Sequence, residues 1–266
     1  MTRLRSFPLG PVGALAVSLV LLASPATAQT APVCSTVTSQ PALRLPQAAA
    51  TLAKTGKLTI VALGSSSTAG VGASSPTKTY PARLQQELAA RFPGATITVV
   101  NRGGNGEDAP ENLRRMDADV GALQPDVVLW QVGTNALLRQ FGVSGSDVPM
   151  RNGIEKIRSY GAEVVLIDPQ YAPWVIVDPD AKPMVQLIDT VGREQNVPVF
   201  HRFAMMQLWH DRDKISFPQM SFIDGLHGND FAYDCLARSL GYSLAAGLKA
   251  PAGQPAIASS GAPPAR

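Results

Sequence analysis

Between Leu58 and Leu248 the chain alternates short apolar runs with longer stretches whose apolar residues recur at helical spacing. Leu58-Thr59-Ile60-Val61-Ala62-Leu63 is rich in β-branched residues and stops at Gly64, which predicts a buried strand. Thr96–Val100, Asp126–Gln131, Ala162–Asp168 and Val197–Phe200 read as four more strands. Helical spacing fills the intervals. Tyr80–Phe92 is stopped by Pro93-Gly94, Ala109–Asp119 carries Pro110 in its first turn, and Val148–Tyr160 stops at Gly161. Lys182–Arg193 and a last segment from about Asp230 to Leu248 complete the set. Strands separated by helices imply parallel strands joined by right-handed crossovers. The expected fold is a three-layer α/β/α sandwich, flavodoxin-like, around a central parallel five-stranded sheet, with no internal repeat.

The two ends follow other patterns. Arg3 and Arg5 precede an apolar run, Ala14 to Ala23, and the small-residue site Ala26-Thr27-Ala28 follows. That is the pattern of a secretory signal peptide over residues 1–28. The run falls short of the roughly 20 apolar residues that span a bilayer. Residues 29–47 read as an extended arm and 48–249 as one domain. Residues 250–266 are mostly Pro, Ala, Gly and Ser, and are expected to be disordered. Export matters for Cys34 and Cys235, the only two cysteines, because an oxidising compartment favours one disulfide between them. Such a bond would pin the arm to the last helix.

Charge adds little. The formal net charge is +3, and removal of Arg3 and Arg5 leaves a nearly balanced chain. No Lys/Arg cluster with interleaved aromatics supports nucleic-acid binding.

Open parallel sheets place ligands at the carboxyl ends of their strands. Four polar, glycine-marked segments fall there: Gly64-Ser65-Ser66-Ser67-Thr68, Asn101-Arg102-Gly103-Gly104-Asn105-Gly106, Val132-Gly133-Thr134-Asn135 and Asp224-Gly225-Leu226-His227. Each alone is ordinary loop punctuation; together they fit acyl transfer. A serine hydroxyl needs a base to remove its proton, histidine is the usual base, and a carboxylate fixes the ring's tautomer. Of His201, His210 and His227, only His227 has an acid three residues before it in a glycine-containing turn. The other two lack the spacing of a metal motif and read as surface or packing residues. The Ser66 N–H, a glycine N–H of the second segment and the Asn135 amide are candidate donors to an oxyanion.

These segments, in this order, resemble the SGNH hydrolases, also called the GDSL esterase/lipase family, over about Leu58 to Leu248. The first family block, Gly-Asp-Ser-x-Thr/Ser, matches Gly64 to Thr68 and selects Ser66 as nucleophile over Ser65 and Ser67. The second block places an oxyanion glycine five residues after an Asn, which gives Gly106. The third, Gly-x-Asn-Asp, matches Gly133 to Asn135, and the last, Asp-x-x-His, matches Asp224 and His227. The resemblance implies a Ser66–His227–Asp224 triad and an oxyanion hole from Ser66, Gly106 and Asn135, with no cofactor or metal. Two family acids are missing: Ser65 stands before the nucleophile and Ala136 after the oxyanion Asn. Gly228 replaces a common proline.

Other enzyme folds fit less well. Thr68 stands where an α/β-hydrolase elbow would have glycine. Gly64, Gly70 and Gly72 miss the dinucleotide spacing, and no Gly-Lys-Ser/Thr marks a phosphate loop. The expectation is a secreted or periplasmic monomer that hydrolyses short acyl esters, acetyl on carbohydrate first. Transfer of acyl groups to sugars and non-catalytic glycan binding are the alternatives. Tyr171, Trp174 and Trp209 are candidates to stack on a sugar or to pack a pocket wall, and the Pro-rich loop from Pro169 to Ala181 is a candidate wall.

Overall fold

A computed structural model describes residues 32–139 and 142–249. The expected signal peptide and the Pro/Ala-rich tail lie outside these residues. In chain order the elements are α1 (Pro46–Thr55), β1 (Lys57–Gly64), α2 (Ser66–Ala69), α3 (Tyr80–Arg91), β2 (Thr96–Gly103), α4 (Ala109–Asp119), β3 (Val127–Gln131), α5 (Thr134–Leu138), α6 (Asp147–Ser159), β4 (Glu163–Ile167), α7 (Pro173–Ile176), α8 (Ala181–Glu194), β5 (Val199–Phe200), α9 (Arg202–Asp211), α10 (Phe217–Met220) and α11 (Asp230–Lys249).

The five strands form one all-parallel sheet in the order β2-β1-β3-β4-β5. Alternate residues along each strand face opposite sides, so the sheet divides two cores. Leu58, Ile60 and Ala62 of β1 pack with Leu84, Leu88, Leu240 and Leu244 of α3 and α11. Val61 and Leu63 pack on the other side with Met116, Ile154 and Ile188 of α4, α6 and α8. The three-layer expectation holds.

Several boundaries differ. Two ten-residue helices, α1 and α9, have no counterpart in the sequence reading, and neither do the short helices α2, α5, α7 and α10. Helix α1 begins at Pro46, inside the stretch read as extended, and its Ala48 and Leu52 are buried. Helix α9 buries Phe203 in one core and Met205, Met206 and Trp209 in the other. Apolar residues on more than one side erase the single-stripe pattern that marks a surface helix. Strand β2 runs three residues past its expected end, because Asn101, Arg102 and Gly103 pair with Ala62, Leu63 and Gly64.

Cys34 and Cys235 are bonded across 201 positions of sequence, joining the arm to α11. The chain-entropy account gives a loop this long about 5 kcal/mol of stabilisation. The arm is also held by Leu43, whose N–H donates to the Ser243 carbonyl at 3.0 Å.

Candidate active site

Strand β1 ends where the chain must turn sharply into α2. Ser65 and Ser67 flank the turn and are each only 2% exposed, whereas Ser66 is half-buried. Ser66 Oγ lies 2.7 Å from His227 Nε2. His227 Nδ1 lies 2.6 Å from Asp224 Oδ2. The other carboxylate oxygen accepts from the Leu226 and His227 N–H groups at 2.9 and 3.0 Å. With Nδ1 protonated toward Asp224, Nε2 is left to accept the serine proton. Burial alone would raise the Asp224 carboxyl. The His227 ring and the two backbone N–H groups outweigh it and hold the group below its usual value.

The histidine rides on a narrow turn. Ser221 bridges Gly228, and the Phe222 N–H donates to the His227 carbonyl at 2.8 Å. The turn presses against the loop that follows α2. A Cβ on Gly72 would sit 2.3 Å from the Gly228 carbonyl oxygen, so only glycine fits there.

The second segment is tied to the first, and the third to the residue that follows the second. Asn101 Nδ2 donates to the Thr68 carbonyl at 2.8 Å, and the Gly104 N–H donates to the Gly64 carbonyl at 2.9 Å. Gly106 has φ +74°, and its carbonyl accepts from the Arg139 guanidinium. Asn135 is 9% exposed, and its Nδ2 donates to the Glu107 carbonyl at 2.7 Å. That leaves the second amide hydrogen of Asn135 for another acceptor. Neither the Ser66 nor the Gly106 N–H has an acceptor among the described residues. Acyl transfer requires a base-linked hydroxyl and preorganised N–H donors at the reacting carbonyl oxygen.

The structure also reveals supporting residues that the sequence reading passed over. Gln131 closes β3, and its Oε1 accepts from the Ser65 N–H at 3.1 Å, Ser65 Oγ at 2.8 Å and Thr68 Oγ1 at 3.3 Å. An amide oxygen thus serves the Ser66 turn, in which the family block would carry an acid. Asp108, 5% exposed, accepts from the Ala109 N–H at 2.7 Å, the Gly133 N–H at 3.3 Å and the Ala136 N–H. Burial pushes its carboxyl up, although these three N–H groups oppose the shift. Gln170 joins two sides of the site. Its Oε1 accepts from Thr134 Oγ1 at 3.0 Å and from Arg202 at 2.7 Å, while its Nε2 donates to the Leu226 carbonyl at 3.1 Å.

Gln131 and Asp108 each had a faint signal. Gln131 is a polar residue ending an apolar strand. Asp108 begins Asp-Ala-Pro-Glu, a helix-start pattern, and Glu111 Oε2 does accept from the Asp108 N–H at 2.9 Å.

The remaining candidates separate by burial. Trp209 is fully buried and donates to Thr36 Oγ1 at 2.6 Å, so it packs the core. Tyr171 stacks with Phe217 at 5.9 Å between centroids. Trp174 is 60% exposed, and its Nε1 donates to the Asp224 carbonyl at 2.8 Å. His201 lies 3.8 Å from the buried Asp168 carboxylate, and its interaction with Asp168 raises the ring above its usual value. His210 stacks on Phe217 at 4.5 Å. Among the described residues no His, Cys, Asp and Glu group could hold a metal ion.

Known proteins share the family and the fold. The model of the non-GDSL lipase-like family matches residues 30–250. No curated protein matches the chain by sequence. An acetylxylan esterase from Geobacillus stearothermophilus superposes with a TM-score of 0.58 at 21% identity, covering 70% of this chain and 93% of that one. A lipase/acylhydrolase from Enterococcus faecalis superposes at 0.59 with 25% identity, covering 69% and 93%. The Geobacillus esterase has also been solved as catalytic mutants in which a serine, an aspartate or a histidine is replaced by alanine. Its aspartate stands three positions before its histidine.

Proposed function

The chain belongs to the non-GDSL lipase-like family, and we propose that it is a secreted serine esterase acting on short acyl esters, with acetyl groups on carbohydrate as the leading substrate class. The observation that carries this reading is the hydrogen-bonded chain Ser66–His227–Asp224. In this reading Ser66 Oγ attacks the ester carbonyl carbon while His227 Nε2 takes its proton. The carbonyl oxygen becomes an oxyanion and accepts from the N–H groups of Ser66 and Gly106 and from Asn135 Nδ2. Collapse breaks the bond to the alcohol, which leaves with the proton from His227. Water then repeats the sequence on the acyl-enzyme, releasing the acid and restoring Ser66.

Export is supported by the signal-peptide pattern at the N-terminus and the Cys34–Cys235 bond. Among the described residues no helix is long and apolar enough to cross a membrane. The substrate class is supported by likeness to an acetylxylan esterase and by Trp174, an exposed ring anchored to Asp224. The alcohol departs on the histidine's side of the reacting carbon, and Trp174 touches the turn that carries the histidine.

A p-nitrophenyl ester series from acetyl to long acyl chains, run beside acetylated xylo-oligosaccharide, tests both parts. The expected result is fastest turnover on acetyl and a raised KM for the oligosaccharide in Trp174→Ala. Faster turnover of long chains would overturn the acyl preference. An unchanged sugar KM in the variant would overturn the role given to Trp174.

A further inference from the structure

The family's third block ends in an acid that this chain lacks, since Ala136 stands there. The backbone N–H of Ala136 nevertheless meets a carboxylate, supplied by Asp108 from the neighbouring loop. The same side chain takes the Gly133 N–H at 3.3 Å. Gly133 and Ala136 bracket Asn135 in sequence. From the adjacent residue, the Glu107 carbonyl takes Asn135 Nδ2 at 2.7 Å. Asn135 is therefore held by its flanking main chain and by its side chain, and these three bonds all come from residues 107 and 108. Those residues directly follow Gly106. Asp108 also anchors the start of α4 through the Ala109 N–H at 2.7 Å, so the clamp is rooted in an 11-residue helix.

We propose that Asp108 is a positioning residue that fixes Asn135 against Gly106, so that the two donors meet the oxyanion together. The carboxylate touches no reacting atom. It acts by holding two loops in one register, and displacing a donor by about 1 Å can cost on the order of a hundredfold in rate. This inference rests on the oxyanion role given to Asn135 above.

Serine is as good as aspartate at a helix N-cap but too short to reach a second loop. Asp108→Ser should therefore keep the start of α4 and release Gly133 and Ala136. Asp108→Asn keeps the reach with one acceptor oxygen. The test compares kcat, KM and the affinity of an alkylboronic acid, which forms a tetrahedral adduct on the nucleophile. Wild type, both variants, Asn135→Ala and Ile154→Val are measured together. Ile154 is a fully buried core residue on the same side of the sheet, so its variant shows what lost stability alone does.

We expect kcat to fall roughly ten- to a hundredfold in Asp108→Ser and less in Asp108→Asn. Boronate affinity should fall in step while KM barely moves, and Ile154→Val should change only the melting temperature. If Asp108→Ser does not fold, Asp108→Asn decides. A kcat at the wild-type level in the folded variant, with Asn135→Ala impaired, overturns the proposal and leaves the oxyanion reading standing. An unimpaired Asn135→Ala overturns both.

Discussion

Two aspartates of the candidate site face different company. Asp224 is about a third exposed and shares its charge with the His227 ring as well as two backbone N–H groups. Asp108 is buried and meets backbone N–H groups alone. Their carboxyls shift in opposite directions, down for Asp224 and up for Asp108. The contrast separates two uses of a carboxylate. In the proposed reading one stabilises a cation that forms during the reaction, and the other organises a backbone that never changes charge. The first must be ionised when the imidazolium appears, whereas the second works through geometry.

The largest test of this contrast is Asp224→Asn. It keeps the shape of the side chain but presents an amide to Nδ1, which favours the wrong ring tautomer. We expect kcat to fall about 10⁴-fold, well beyond the effect at Asp108, as read from steady-state rates on an acetyl ester. Comparable losses at the two positions would erase the distinction.

A second test removes the neutral acceptor at the nucleophile turn. Gln131→Leu strands the buried N–H and hydroxyl of Ser65, whereas Thr68 keeps Tyr80 Oη as a partner, and each unsatisfied group costs about 1–3 kcal/mol. Denaturant unfolding should show a clear loss of stability. An unchanged midpoint would mean that other acceptors replace Gln131.

The smallest effects are in the pH dependence of stability. Asp224 has a lowered folded value, so its stabilisation is present above the unfolded carboxylate value and is lost as pH falls through the folded one. Asp108 has a raised folded value, so its contribution is fullest below the unfolded value and declines as pH rises through the folded one. Melting curves across the acidic range should therefore differ in sign. Asp224→Asn should reduce the loss of stability on acidification, and Asp108→Asn should remove part of the decline on the way up. Parallel changes in the two variants would contradict the assigned shifts.

The sequence revealed these residues unequally, for a physical reason. Asp224 and His227 interact within one turn, so a spacing of three betrays them. The partners of Asp108 lie 25 and 28 positions away in sequence, across a strand and a helix, and no local pattern reports such pairing. Gln131 was hidden likewise, as the last residue of an apolar run whose acceptor faces a loop 66 positions earlier. The same holds for the fold. Helices α3, α4, α6, α8 and α11 bury one side against the sheet and carry their stripe openly. Helix α9 is enclosed by both cores and carries none, and β5 has only two residues. Ser66 was legible through the family register; its burial relative to Ser65 and Ser67 was not.

That burial makes one measurement decisive for the account. The folded protein is treated with a fluorophosphonate, digested and mapped by mass spectrometry, beside His227→Ala. One adduct is expected, on Ser66, and it is lost or greatly slowed in the variant. An adduct on Ser65 or Ser67, or no adduct on the folded wild-type protein, would contradict it.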